Sequence, residues 1–155
     1  MAKEPTAIEL VNASIDDMRR RNFREALEKL DRAIALAPRL YVAHFHRARA
    51  LAGLGRLEDA VQALQTAANI APRKGEVWHK MGSLQAKTGR VQEAIQSLSR
   101  AVELEPRNAQ AWYELGVADA VAGRLQEAMD CFQRAVEINP GMARAWCNKG
   151  NVLLK

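Results

Sequence analysis

The sequence has few of the residues that build β-sheets or disulfide frameworks. Aromatic residues make up only 5% of it, and runs of β-branched residues are scarce, whereas alanine, leucine and charged residues are abundant. This composition favours helices over strands. The two cysteines, Cys131 and Cys147, are too few for a disulfide framework and favour a reducing compartment. The sequence therefore predicts an all-α protein.

Segments that would target the chain to a membrane are also missing. No uncharged apolar stretch approaches the roughly 20 residues that a membrane span needs, and the N-terminus lacks the apolar core of a signal peptide. The net charge is +5, without a block of one sign, which argues against a nucleic-acid partner. We expect a soluble, cytoplasmic protein that does not associate with membranes.

The motifs that carry catalytic or cofactor chemistry are absent as well. The sequence has no glycine-rich phosphate loop, nucleophile elbow, paired-cysteine motif or His-Glu-x-x-His. His44, His46 and His79 are the only candidates for metal ligands. The first two point to different sides of a helix, and no third ligand is evident. We therefore expect no enzyme activity, no cofactor and no metal site.

The sequence contains four similar copies of one segment. RNFREALEKLDRAIALAP at 21–38 recurs as GRLEDAVQALQTAANIAP at 55–72, GRVQEAIQSLSRAVELEP at 89–106 and GRLQEAMDCFQRAVEINP at 123–140. The closing prolines are spaced by 34 residues without insertion or deletion. A period in this range is typical of a solenoid built from one repeated supersecondary unit.

Each repeat predicts a helix, a tight turn and a second helix. In the third repeat, apolar and small residues at helical spacing run from Val77 to Ala86, stop at Gly89, and resume from Val91 to Pro106. Proline cannot continue a helix, so the second helix must end there. Because one hairpin cannot bury its apolar face alone, the repeats must stack.

Small residues mark the places where the two helices of a hairpin approach each other. On the second helix they form two rows: Ala26, Ala60, Ala94 and Ala128, and Ala33, Ala67, Ala101 and Ala135. Bulky residues stand between the rows: Leu30, Leu64, Leu98 and Phe132. We expect Gly82, Gly116 and Gly150, with Ala48 and Ser14, to serve the same close approach on the first helix.

The repeats resemble a known family. W-H-K-M-G at Trp78–Gly82, W-Y-E-L-G at Trp112–Gly116 and W-C-N-K-G at Trp146–Gly150 are similar to the start of the tetratricopeptide repeat, and the alanine, bulky and proline positions follow in register. The resemblance implies a right-handed superhelical solenoid of antiparallel helix hairpins. It covers one domain, 7–155, made of four repeats (7–40, 41–74, 75–108 and 109–142) and a fifth first helix (143–155), after a flexible N-terminus, 1–6.

The first two repeats depart from the pattern. Leu10 and His44 stand where the tryptophan is expected, Asp17 takes a position that is usually aromatic, and Arg21 replaces the turn glycine. Asparagine tolerates the left-handed conformation better than arginine, so we predict that Asn22 adopts it instead. The tryptophans of the later repeats are interpreted as core residues.

Both ends of the repeat array carry a further signal. Thr6 and Glu9 have the spacing of a capping box, which places the start of the first helix there. Val152, Leu153 and Leu154 leave an apolar C-terminal end, which indicates a longer array or a contact with another molecule, including self-association.

The resemblance also implies a function. In this family the first helices line a concave wall that binds peptides or extended protein segments, without enzyme activity. On this chain the wall would consist of Asn12, Phe45, His46, Arg49, His79, Lys80, Ser83, Tyr113, Glu114, Val117, Asn148 and Asn151, with Val11, Ile15 and Cys147 beside them. Such a mixture suits a protein or peptide ligand that carries a carboxylate and an apolar side chain. The alternatives are the targeting arm of a larger enzyme and RNA binding.

Overall fold

The computed structural model describes residues 4–153, and every regular element within that range is an α-helix. In chain order the helices are α1 (Ala7–Arg19), α2 (Phe23–Leu36), α3 (Tyr41–Gly53), α4 (Leu57–Ile70), α5 (Gly75–Lys87), α6 (Val91–Leu104), α7 (Ala109–Val121), α8 (Leu125–Ile138) and α9 (Ala143–Leu153). The predicted all-α class and the helix hairpins of the repeats are confirmed. Residues 1–3 of the predicted flexible N-terminus, and Leu154 of the apolar end, lie outside the described residues.

The chain divides into two compact units, of which the first ends at Pro72 and the second begins at Arg73. The first unit contains the hairpins α1–α2 and α3–α4, with α2 packed on α3. The second contains the hairpins α5–α6 and α7–α8, with α6 packed on α7 and α9 packed on α8.

Helix α1 begins where the sequence predicts. The Thr6 hydroxyl accepts the Glu9 N–H over 3.3 Å, and the Glu9 carboxylate accepts the Thr6 N–H over 2.7 Å. This reciprocal pair satisfies two backbone donors that have no partner within the helix. The predicted capping box is therefore confirmed.

The interior of each hairpin follows the small-residue pattern. The eight alanines of the two rows, and the four bulky residues between them, have at most 1% of their surface exposed. A Cβ atom on Gly82 would lie 2.6 Å from Leu98 Cγ, and one on Gly116 would lie 2.8 Å from Phe132 Cε1. Only glycine permits these approaches. A Cβ on Gly150 would meet nothing within 4 Å, because the described residues contain no second helix of the fifth repeat to pack on this side of α9, so the close approach predicted at Gly150 is not made.

The turn inside each hairpin uses one residue in the left-handed conformation. Gly55, Gly89 and Gly123 have φ angles of 76, 77 and 78°. Arg21 occupies the equivalent place with φ 64°, whereas Asn22 has φ −84°. The prediction that Asn22 would take over this conformation is wrong.

Backbone hydrogen bonding explains why the left-handed residue stays at position 21. The Asn22 N–H donates to the Asp17 carbonyl over 2.8 Å, just as the Arg90 N–H donates to the Gln85 carbonyl over 2.9 Å in the third repeat. This bond closes the end of the first helix and requires the residue before its donor to be left-handed. The strict repeat register therefore outweighs the local preference of asparagine.

The position of Asp17 carries a recurrent polar contact inside the hairpin. The contact joins Asp17 to Lys29, Gln85 to Ser97, and Asp119 to Cys131. Each pair links the first helix of a repeat to its second helix, and buried polar groups need such partners. The departure at Asp17 thus introduces an ion pair where the third repeat has a neutral pair and the fourth a carboxylate–thiol pair, whereas the second repeat has Leu51 at this position.

The side chain at the tryptophan position hydrogen-bonds to the proline that closes the preceding repeat. The ring N–H of Trp112, Trp146 and His44 donates to the carbonyl of the proline six residues earlier, over 2.9, 3.0 and 2.8 Å. His44 therefore keeps the hydrogen bond of the tryptophan that it replaces. Trp78 and Trp112 are partly buried against the core, as predicted. Trp146 is 49% exposed, so its interpretation as a core residue is wrong.

Candidate functional site

The predicted site residues of the first unit lie on α1 and α3. Asn12 and Arg49 are exposed, whereas Phe45 and His46 are half-buried. The rings of Phe45 and His46 meet edge to face, with centroids 5.4 Å apart. Arg49 Nη1 donates a hydrogen bond to His46 Nδ1 over 3.1 Å. The three side chains on α3 therefore form one connected group.

His46 contributes no positive charge to this group at neutral pH. Burial, and secondly the charge of Arg49, lowers the pKa of His46 from its ordinary 6.5 to about 4. The positive charge of the group therefore belongs to Arg49, which has no carboxylate partner among residues 4–153.

A cavity of about 280 Å³ lies beside Arg49. This first-unit cavity is lined by Ile15, Met18, Arg19, Phe23 and Arg49. Phe23 is absent from the predicted wall because it belongs to a second helix, and Met18 is a buried residue of α1 that the predicted wall does not include. The sequence does carry a signal for it: the equivalent positions of the other repeats hold Leu57, Val91 and Leu125, so the aromatic ring is particular to the first repeat.

In the second unit, His79 on α5 faces Glu114 on α7. His79 Nε2 and Glu114 Oε2 lie 3.2 Å apart and are both shielded from solvent, in an electrostatic contact whose geometry falls short of a well-formed hydrogen bond. Asn108 orients the histidine. Its Oδ1 accepts the Ala111 N–H at the start of α7, which leaves its amide nitrogen 3.5 Å from His79 Nδ1. With Nδ1 as the acceptor of the Asn108 amide, His79 directs an N–H at Nε2 toward Glu114.

Glu114 is ionised at neutral pH. Burial by itself would raise the pKa of its carboxyl group, but the interactions with His79, Gln110 and Ser83 outweigh burial and hold the pKa below the ordinary value. Gln110 donates to Glu114 Oε1 over 2.8 Å. The structure thus brings the predicted residues His79, Ser83 and Glu114 together, while Lys80 is exposed on α5.

A second cavity, of about 430 Å³, lies at the other end of this wall. This second-unit cavity is lined by Val117, Ala120, Val121, Leu125, Phe132, Asn148, Asn151 and Val152. At its edge, Asn148 Nδ2 donates to the Tyr113 hydroxyl over 3.3 Å. The Tyr113 ring lies 5.9 Å from that of Phe132. Tyr113, Val117, Asn148 and Asn151 are therefore neighbours, as part of one apolar hollow with amide groups at its edge.

The described residues offer little reactive chemistry. Among them, no group of three or more His, Cys, Asp or Glu side chains could hold a metal ion. Cys131 is buried, and burial together with the charge of Asp119 raises the pKa of its thiol to about 12. Cys147 is exposed. None of the described helices is long and apolar enough to cross a membrane.

Stacked helix hairpins with first-helix walls of this kind define a class, the helical-repeat scaffolds. Comparison with family models then gives the family: the model of the tetratricopeptide repeat matches residues 12–74 and 79–143. The chain belongs to the tetratricopeptide repeat family, whose members serve as protein–protein interaction scaffolds. No curated protein sequence matches the chain at a significant level.

Solved structures share the fold. A MamA protein from Desulfovibrio magneticus RS-1 superposes with a TM-score of 0.89 at 24% identity, over 99% of this chain and 86% of its own. Another MamA crystal structure gives 0.86 at 22% identity, over 90% of this chain and 81% of its own. YrrB, described as a TPR protein with an unusual peptide-binding site, superposes with a TM-score of 0.85 at 25% identity, over 94% of this chain and 75% of its own.

Proposed function

We propose that the chain is a non-enzymatic, cytoplasmic scaffold that binds an extended peptide or protein segment on the first-helix walls of its units. An extended ligand needs hollows for its side chains and hydrogen-bonding groups for its backbone. The observation that carries the proposal is the second-unit cavity, where Val117 and Phe132 form an apolar floor and Asn148 and Asn151 lie at the edge. In the first unit, Arg49 lines a cavity in the same manner.

RNA binding receives less support from the charged residues. Five arginines in the turns and helices have carboxylate partners three residues away: Arg19, Arg56, Arg90, Arg100 and Arg134. Paired arginines do not form the continuous basic track that a nucleic-acid backbone needs. The remaining alternative, a recruiting arm of a larger enzyme, would use the same walls for the same kind of ligand.

A peptide selection tests the proposal. Random peptides displayed on phage are selected on the purified chain, and the chemical shifts of the amide groups are followed during titration with each selected peptide. Val117→Lys introduces a charge into the second-unit cavity and should weaken binding there about tenfold or more, because a buried unpaired charge costs several kcal/mol. Gln126→Lys, exposed on α8, is the matched control. Shifts confined to the second helices, or equal affinity for both variants, would contradict the proposal.

Self-association is a second proposal for the partner, supported by exposed apolar side chains near the end of the described chain. Trp146 and Leu153 on α9 are 49% and 69% exposed. Apolar side chains exposed close together are typical of contact surfaces. Sedimentation over a range of protein concentrations tests this: the average mass should rise with concentration, and Leu153→Glu should reduce the rise.

A further inference from the structure

The first-unit cavity combines one uncompensated positive charge with three apolar side chains. Ile15, Met18 and Phe23 supply the apolar surface. Two arginines reach the same cavity, but they differ in their partners. Arg19 Nη1 lies 2.9 Å from Asp16 Oδ1, so its charge is balanced within α1. Arg49 donates only to the neutral ring of His46 within the described residues.

The cationic group is held in position before any ligand arrives. His46 Nδ1 accepts from Arg49 Nη1 over 3.1 Å, and the His46 ring is itself fixed edge to face against Phe45. Because His46 carries no charge at neutral pH, it orients the guanidinium without neutralising it. A guanidinium has five N–H donors, and one bond to His46 leaves donors that can bind a carboxylate.

The apolar side of the cavity is also fixed. The Phe23 ring packs on Gly53, where an added Cβ would lie 2.5 Å from Phe23 Cδ1, so only glycine leaves room for the ring. The volume of about 280 Å³ lies just below the range of roughly 300–1,000 Å³ that is typical of small-molecule sites. The first-unit cavity is therefore of the size for one amino-acid residue and its adjacent charged group.

We propose that the first-unit cavity recognises a carboxylate next to a bulky aliphatic side chain, with the carboxylate on Arg49 and the side chain on Ile15, Met18 and Phe23. The proposal rests on the proposed function, for which it names the ligand chemistry in the first unit. The carboxylate could come from two sources, the C-terminus of a ligand chain or an Asp or Glu side chain within it. Both present the same two oxygens to a guanidinium.

Titration with small probes, followed by the amide chemical shifts of the whole chain, tests the proposal. N-acetyl-leucine presents a terminal carboxylate, and N-acetyl-leucyl-aspartic acid amide presents a side-chain carboxylate. N-acetyl-leucine amide lacks the charge, and acetate lacks the side chain. We expect N-acetyl-leucine or N-acetyl-leucyl-aspartic acid amide, or both, to change the amide chemical shifts of Ile15, Met18, Phe23 and Arg49. The affinity should be about tenfold higher than that of N-acetyl-leucine amide or acetate. The better of the two identifies the source of the carboxylate.

Three variants separate recognition of the carboxylate and of the side chain from a general effect of charge. Arg49→Gln should reduce the affinity for the preferred probe about tenfold, to that of the amide, and Arg49 is exposed, so the variant keeps the core intact. Arg144→Gln removes the same charge from an exposed site in the second unit and should have no effect. Ile15→Ala should lower the affinity for the preferred probe while leaving the affinity for acetate unchanged.

Three outcomes would overturn the inference: no shifts in the first unit at about 20 mM probe, equal affinity for charged and amide probes, or an undiminished affinity of Arg49→Gln. The proposed function can fail separately. If phage-selected peptides bind the Arg49→Gln variant as well as the parent, the walls bind peptides without this recognition. If no selected peptide binds the parent chain, the proposed function fails whatever the small probes show.

Discussion

At the scale of single residues, Arg21 holds a strained backbone conformation. Its φ of 64° lies in the left-handed region, where the other three repeats have glycine. A side chain with a Cβ destabilises this conformation by roughly 1–2 kcal/mol. The first repeat therefore has a local strain that the later ones avoid.

We expect Arg21→Gly to raise the free energy of unfolding by about 1 kcal/mol, because relief of the strain exceeds the greater freedom of glycine in the unfolded chain. Urea unfolding measures the change. Gly89→Ala is the converse control: a Cβ there would meet nothing within 4 Å, so the expected loss of about 1 kcal/mol reports backbone strain alone. A destabilised Arg21→Gly would mean that the arginine side chain contributes more than its strain costs.

At the scale of helices, the close approach within a hairpin depends on the missing side chain of one glycine. Gly82 on α5 lies against Leu98 on α6, with a hypothetical Cβ 2.6 Å from Leu98 Cγ and 3.1 Å from its backbone nitrogen. Backbone atoms cannot rotate away as the end of a side chain can. The Leu98 side chain is itself fully buried. An alanine at Gly82 must therefore push the two helices apart.

We expect Gly82→Ala to lower the free energy of unfolding by about 1–3 kcal/mol, the usual cost of overpacking. Gly150→Ala is a matched test at the same repeat position, where a Cβ meets nothing within 4 Å. There the better helix propensity of alanine should raise stability by up to about 1 kcal/mol. Thermal and urea unfolding of both variants should thus show opposite signs, and a shared sign would refute the packing argument.

The sequence predicts helices better than it predicts contacts between them. The period of 34 residues places the turns, the alanine rows and the buried leucines together, because one pattern satisfies all of them. The pairing of His79 with Glu114 could not be predicted, since it depends on rotamers and on the orientation of Asn108. Residue preference alone favours a left-handed Asn22, whereas the hydrogen bond that the repeat register imposes requires a left-handed Arg21. Phe23 could not be predicted from the family pattern, because that pattern assigns the wall to first helices and Phe23 begins a second helix.

For the whole molecule, the shifted pKa values predict that acid affects the two units differently. The pKa of His46 in the folded first unit is about 4, below the ordinary 6.5. Between these values the unfolded chain binds a proton that the folded chain does not, so stability is full above pH 6.5 and falls as the pH decreases toward 4. In the second unit, the pKa of Glu114 is lowered from 4.5, so protonation of Glu114 destabilises the folded state only below pH 4.5. Burial raises the pKa of Asp119 above its ordinary 3.8, so protonation of Asp119 at low pH has the opposite effect and favours the folded state.

Residue-resolved hydrogen exchange at pH 7 and pH 5, corrected for the intrinsic exchange rates, measures this in each unit separately. Helices α1–α4 should lose protection at pH 5, by on the order of 1 kcal/mol, since the partial exposure of His46 reduces the full effect of its pKa shift. His46→Gln cannot bind the proton and should lose less protection between the two pH values. Because His46 lies in the first unit, the variant should leave the pH response of α5–α9 unchanged. An equal loss in the parent chain and in His46→Gln would show that protonation of His46 does not control the acid sensitivity of the first unit.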